Sequence, residues 1–360
     1  MQQSKRLLSL DVLRGITIAG MILVNNPGSW GHVYAPLLHA DWFGLTPTDL
    51  VFPFFMFIMG VSMYFSLRKY AFTLSRDSVI KVLRRTLVIF AIGLALNVIY
   101  CMGDISHIRI LGVMQRLALV YCFGSLIGLG VNHKYLLHVI AGLLIVYWAI
   151  LGFTDSYEMT ADSILYVIDR AILTENHMCF DFFNPDAIPF DSEGILSTLS
   201  CIAHVLCGFY VGKTITESNR DHELALREIF IFGTIILFAG LLIQYGCPLC
   251  KKIWTPSFTL VTCGLASLLL ALLIWVIDIK GKKAWTKFFE AFGVNPLYLY
   301  VQGSVVQMIF SIAGLTAVGY GVFQSVFGDY GGSLAWAIFF VVLNWIPGYF
   351  LYKNKKYIKI

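Results

Sequence analysis

Charge is scarce in this chain. Asp, Glu, Lys and Arg make up 13% of its 360 residues, about half the ~25% of an ordinary soluble domain. Hydrophobic residues reach 58% and the mean hydropathy is +0.76, so a water-soluble globule is excluded. Nucleotide machinery is missing too: there is no P-loop, no G-x-G-x-x-G between a strand and a helix, and no zinc-binding helix. No segment repeats itself, which disfavours transporter folds built from duplicated halves. The first apolar segment has no small-residue cleavage site and holds Asp11 and Arg14; it reads as a retained helix and not a signal peptide. A net charge of +5 is no signal for nucleic acid. The eight cysteines are scattered, and Cys247 and Cys250 have no partner histidines, so no metal site is expected. That pair is either an external disulfide or inert.

What the chain has in abundance is apolar runs of membrane-spanning length. They cover 7–26, 48–67, 83–101, 110–130, 135–152, 194–212, 228–246, 256–278, 294–313 and 333–352. At ~1.5 Å per residue each is long enough for a hydrocarbon core of ~30 Å. The expected fold is all-α: a polytopic transmembrane bundle of about ten helices, forming one domain over 1–360. Basic residues set its orientation. Lys5, Arg6, Arg68, Lys69, Arg76, Lys81, Arg84, Arg85, Lys134, Lys213, Arg220, Arg227, Lys280, Lys282, Lys283, Lys287, Lys353, Lys355, Lys356 and Lys359 fall on the side of the termini. Only Arg109, Arg170, Lys251 and Lys252 fall opposite. Both termini are therefore expected in the cytoplasm. The longest outer loop, 153–193, carries Asp155, Glu158, Asp162, Asp169, Glu175, Asp181, Asp186, Asp191 and Glu193. It reads as a solvated cap, or as a funnel favouring cationic acceptors, with a short surface helix over 157–172.

The chain is organised around residues 25–60. Asn25 ends the first helix, His39 follows in a polar loop, and Thr46-Pro47-Thr48-Asp49 starts the second. Thr46 suits the N-cap, Pro47 the first helical position, and Asp49 can reach back to the cap N–H. A histidine, an amide and a carboxylate at one membrane boundary can handle protons. His39 is the candidate base, Asp49 its orienting partner and Asn25 a donor to a developing oxyanion. Trp30 and Trp42 suit an interfacial belt or a sugar-stacking surface. Inside the membrane, Arg14 and Asp11 share one helix face, as a packing ion pair or a phosphate contact. Arg116 is also intramembrane, and with Gln115 could line the same cavity. Lys81, Arg84 and Arg85 form a basic inner mouth, suited to anionic lipid or to a phosphorylated donor.

Seven stretches carry a resemblance: SLDVLRGI (9–16), VNNPG (24–28), HADWFGLTPTDLVFPFFMFIMG (39–60), RILGVMQRL (109–117), EGILSTLSCIAHVLCGFYVGK (193–213), KKIWTPSF (251–258) and FGVNPLYLYV (292–301). In this order they resemble the catalytic domain of the heparan-α-glucosaminide N-acetyltransferase family and its bacterial relatives. The opening LDVLRGI is shared with another membrane acyltransferase group; the 39–60 block separates the two. The resemblance implies a transmembrane enzyme that takes acetyl from cytosolic acetyl-CoA and delivers it to a glucosamine-type amine on the outer face. It implies catalytic roles for His39, Asn25 and Asp49. Arg14, Arg116 and Asn295, with Arg84 and Arg85, become candidates for holding acetyl-CoA, and Trp42, Lys251 and Trp254 for the acceptor sugar or glycan. A bacterial-type homologue without the lumenal N-terminal domain, in the cytoplasmic membrane, is the expectation. Glycine-containing helix faces would permit a homodimer. Direct attack and a ping-pong route through acetyl-His39 both fit. So does an O-acyltransferase of an envelope glycan, while a sugar permease is the rival from another class.

Overall fold

A computed structural model describes residues 7–101, 103–180, 187–218 and 221–358. Lys5, Arg6, Asp181, Asp186, Arg220 and Lys359, used above to read topology and loop charge, lie outside the described residues. The described residues form helices joined by loops, with no strand among them. The helices are α1 (Leu8–Asn25), α2 (Val51–Leu67), α3 (Arg76–Tyr100), α4 (Val113–Gly130), α5 (Leu136–Phe153), α6 (Ile164–Leu173), α7 (Thr198–Glu217), α8 (His222–Ile243), α9 (Pro256–Leu273), α10 (Thr286–Val294), α11 (Pro296–Ile312) and α12 (Leu315–Lys353). Among the described residues, nine helical segments are long and apolar enough to cross a membrane, and α11 is a shorter apolar helix of 17 residues. The chain is an integral membrane protein.

The helix ends depart from the apolar runs where capping chemistry extends them. Helix α3 starts at Arg76 because Ser75 and Ser78 form a reciprocal cap. Helix α8 starts at His222 because Asp221 accepts from the N–H groups of Glu223 and Leu224. Both first turns are charged, so an apolar scan begins too late. Helix α9 continues as a π-helical turn over Ile274–Ile279. The surface helix expected over 157–172 is α6, shifted toward the C-terminus. Helix α10 and the first half of α12 were not expected. In α12, Gly328 has φ 71°, a backbone state that glycine adopts without the steric cost of a Cβ, and it kinks the helix there.

The chain forms two compact units. The first comprises Met1–Ala40, Thr46–Phe55 and Leu269–Lys359; the second contains Asp41–Leu45 and Met56–Leu268. Helices α2 and α9 run from one into the other. In the first unit α1 packs on α10, α11 and α12. A Cβ on Gly15 would lie 1.9 Å from the Phe289 carbonyl oxygen, and one on Gly293 2.0 Å from that of Asp11. The α1–α10 crossing thus exists only because both positions lack side chains. In the second unit α7 is the central helix, flanked by α4, α5 and α8. It meets α2 by the same device: a Cβ on Gly60 would lie 2.0 Å from the Val205 carbonyl oxygen, and one on Gly208 2.0 Å from that of Phe57. The most apolar stretch of α7 is 72% buried and that of α8 only 17%; exposed Phe230, Phe238 and Leu242 on α8 suit contact with lipid.

Candidate active site

The capping box expected at 46–49 forms. Thr46 is the N-cap and Pro47–Leu50 is a 3₁₀ turn that leads into α2. Asp49 is fully buried, and its Oδ2 accepts the backbone N–H groups of Ala40 and Thr46, each at 3.1 Å. The Thr46 hydroxyl donates to the Leu38 carbonyl at 2.7 Å, and Thr48 Oγ1 donates to Pro36 at 3.1 Å, closing the loop onto the helix start. The other carboxylate oxygen, Oδ1, lies 2.6 Å from Nδ1 of His39. One buried carboxylate therefore caps a helix and orients an imidazole. With Asp49 ionised, Nδ1 carries the proton and Nε2 the lone pair. The His39 side chain is half exposed, so its ring is open to solvent.

Asn25 is exposed at the last turn of α1. Its neighbour Asn26 is buried, with Nδ2 donating to the Ile22 carbonyl at 2.6 Å. Arg14 Nη1 donates to Asp11 Oδ1 and to the Gly293 carbonyl, both at 3.1 Å. The packing ion pair is thus present, and its cation also meets the negative end of α10. Asn295 is buried between α10 and α11, and both ends of its amide go to the C-terminal tail. Nδ2 donates to Lys356 at 2.9 Å, and Oδ1 accepts from the Ile358 N–H at 2.8 Å.

The remaining candidates belong to the second unit. Arg116 and Trp254, expected in separate roles, come together: the guanidinium lies 5.6 Å from the indole ring centre. Both are buried. Arg116 also donates to the Gly194 carbonyl at 2.9 Å and to the Ser197 hydroxyl. Trp42 donates its indole N–H to the Tyr157 carbonyl at 2.8 Å. Its ring faces Phe190, and Lys252 Nζ lies 5.4 Å from its centre. The cation on Trp42 is thus Lys252; Lys251 is half-buried beside it in sequence. Arg84 is exposed on α3, whereas Arg85 stacks over Tyr121 at 4.6 Å. Cys247 and Cys250 are buried and are not joined in a disulfide.

Sequence reasoning missed an ionic cluster. Arg109 bridges Asp191 and Glu193, more than 80 residues away, just before α7. Burial works against the Arg109 charge, but the two carboxylates outweigh it and hold its pKa above the ordinary value. Burial likewise disfavours the Glu193 charge, yet Arg109 and Arg116 pull that carboxyl below its usual range. Asp169 on α6 is different. It is buried, accepts the Ile195 N–H at 2.9 Å and lies near Asp191. Burial, then the Asp191 charge, pushes it up to about 6. The 153–193 loop is therefore only partly the solvated cap its composition suggested: Asp155, Glu158 and Asp162 are exposed, while Asp169 and Asp191 are internal. The one available signal was Arg109 itself, one of few cations on the side of the chain that carries the acidic 153–193 loop.

A family model described as heparan-alpha-glucosaminide N-acetyltransferase, catalytic, matches residues 6–245. The heparan-alpha-glucosaminide N-acetyltransferases of Mus musculus and Homo sapiens are each 27% identical to this chain over 85% of its length. The match covers 54% of either relative, so the chain spans about half the length of the curated relatives it matches.

Proposed function

The chain belongs to the heparan-α-glucosaminide N-acetyltransferase catalytic family, and from that premise we propose that it is a membrane acetyltransferase. It takes acetyl from cytosolic acetyl-CoA and transfers it to the amine of a glucosamine-type sugar on the outer face, with both termini inside. The observation that carries this reading is the His39–Asp49 pair at 2.6 Å, built on a buried helix cap. His39 is the general base. As the amine nitrogen bonds to the acetyl carbon, Nε2 takes its proton and Asp49 stabilises the imidazolium. The C–S bond then breaks, and that proton is available to the departing thiolate. Asn25 donates to the carbonyl oxygen as it gains charge. A hydroxyl acceptor would use the same base.

The residues expected to hold acetyl-CoA differ in how far the fold already uses them. Asn295 is committed to the tail, and Arg14 to Asp11 and Gly293. Arg84 is exposed, and Nε of Arg85 is buried without a hydrogen-bond partner among the described residues. These two are the stronger candidates for anionic phosphate. Trp42, with Lys252 on its ring, offers an aromatic surface for a sugar, whereas Trp254 is buried against Arg116. The test is labelled acetyl-CoA with a panel of amino sugars and glycans, using purified protein in vesicles. Acetylated product formed outside from donor supplied inside supports the reading. Uptake of unmodified sugar, without acetylation, would favour the permease.

A further inference from the structure

The first unit holds a second histidine–carboxylate pair, on the loop that carries His39. Its near half, from Gly28 to Tyr34, is tied to α12 around the Gly328 kink. Gly28 N–H donates to the Ser333 carbonyl at 3.3 Å, and Ser29 N–H to the Ser333 hydroxyl at 3.1 Å. Gly28 is needed for this approach, since a Cβ there would lie 2.7 Å from the Tyr320 ring. Beyond these ties, Nε2 of His32 lies 3.8 Å from Oδ2 of Asp329, the residue directly after the kink glycine. Asp329 is itself steadied, with Oδ1 accepting from Gln324 Nε2 at 2.6 Å. The groups facing the imidazole are Asp329, the Tyr320 hydroxyl and the Tyr330 ring from α12, and the Ser29 hydroxyl from its own loop.

We propose that His32 is a positioning residue which, paired with Asp329, clamps the loop bearing His39 onto the kink of α12. This rests on the function proposed above. The loop is held at two places of different character. At its far end Asp49 fixes it through backbone N–H groups that do not titrate. At its near end, beside the Ser29–Ser333 hydrogen bonds at 3.1 and 3.2 Å, His32 and Asp329 form an ion pair only while His32 is protonated; neutral His32 at 3.8 Å is held far more weakly. His39 lies seven residues beyond His32, so play at the near end is transmitted to the base.

The test compares His32→Gln, Asp329→Asn, the double variant and His32→Lys in the full chain, by two readouts. The first is amide hydrogen exchange of residues 28–34, which needs no activity. Exchange should quicken at pH 6 in both single variants, no further in the double, and hardly at all in His32→Lys, whose charge does not titrate in this range. The second is acetyl transfer from acetyl-CoA to glucosamine. Transfer should fall roughly two- to fivefold at pH 6, the scale of a half-exposed ion pair, and recover in His32→Lys. Unchanged exchange in either single variant, or additive effects in the double, would overturn the clamp. Quickened exchange with unaltered transfer would overturn the positioning role. A wild type that transfers no acetyl, yet shows the exchange pattern, would sink the proposed function and leave the clamp standing.

Discussion

Asp49 and Asp169 are both buried carboxyls, one in each unit, and their surroundings set them apart. Asp49 is met by two backbone N–H groups, the Thr46 hydroxyl and an imidazole, all within ten residues of it. Asp169 accepts one backbone N–H and sits beside another carboxyl, so it binds a proton readily, with a pKa near 6. One carboxyl is tied to an imidazole and a helix cap. For the other, burial leads the rise in pKa and the neighbouring Asp191 charge adds to it.

The sharpest way to break this comparison is to remove the charge from Asp49 and keep its shape. In Asp49→Asn the imidazole loses its anionic partner and its imposed tautomer. Turnover should fall by roughly 10³–10⁴-fold, the scale seen when a catalytic histidine loses its orienting carboxylate. A loss below tenfold in purified, folded variant would mean that Asp49 is a helix cap and little else. Next comes Asn25→Ala, expected to lower kcat by about 10²-fold with KM nearly unchanged, as for one oxyanion donor. A change confined to KM would reassign the amide to binding.

The smallest effect belongs to Asp169. Its pKa is raised by folding, so the fold favours the protonated form. That contribution is complete below the ordinary carboxylate value and is lost as pH rises through about 6. Asp169→Asn keeps the acceptor for Ile195 and has no charge to bury. It should stabilise the protein at neutral pH by on the order of 2 kcal/mol and flatten thermal stability between pH 4 and 7. A variant less stable than wild type at pH 7.5 would show Asp169 to be ionised and paired after all.

The same contrast explains what was legible in the sequence. The His39–Asp49 pair was readable because Thr46, Pro47 and Asp49 are a helix start whose carboxylate must point back into the preceding loop. The all-helical fold was readable from the apolar runs, and the ion pair of Asp11 with Arg14 from their spacing. Contacts made across long stretches of chain left no local trace. Nothing near Arg109 announces Asp191 and Glu193, and nothing near Asn295 announces Lys356 and Ile358. Trp254 and Arg116 were singled out separately, but only the packing of α4 against α7 joins their surroundings. Helices α3 and α8 were shortened because their caps precede the apolar residues, and the first half of α12 was missed because it ends at a kink.

The most direct test of the central claim is acetyl transfer from acetyl-CoA to glucosamine by purified His39→Ala, measured beside its thermal stability. His39 is half exposed and hangs on Asp49 from a loop, so the melting temperature should stay within a few degrees of wild type. Turnover should drop by at least about 10³-fold, on the upper scale of losing a general base. A folded His39→Ala protein that transfers acetyl at the wild-type rate would contradict the account.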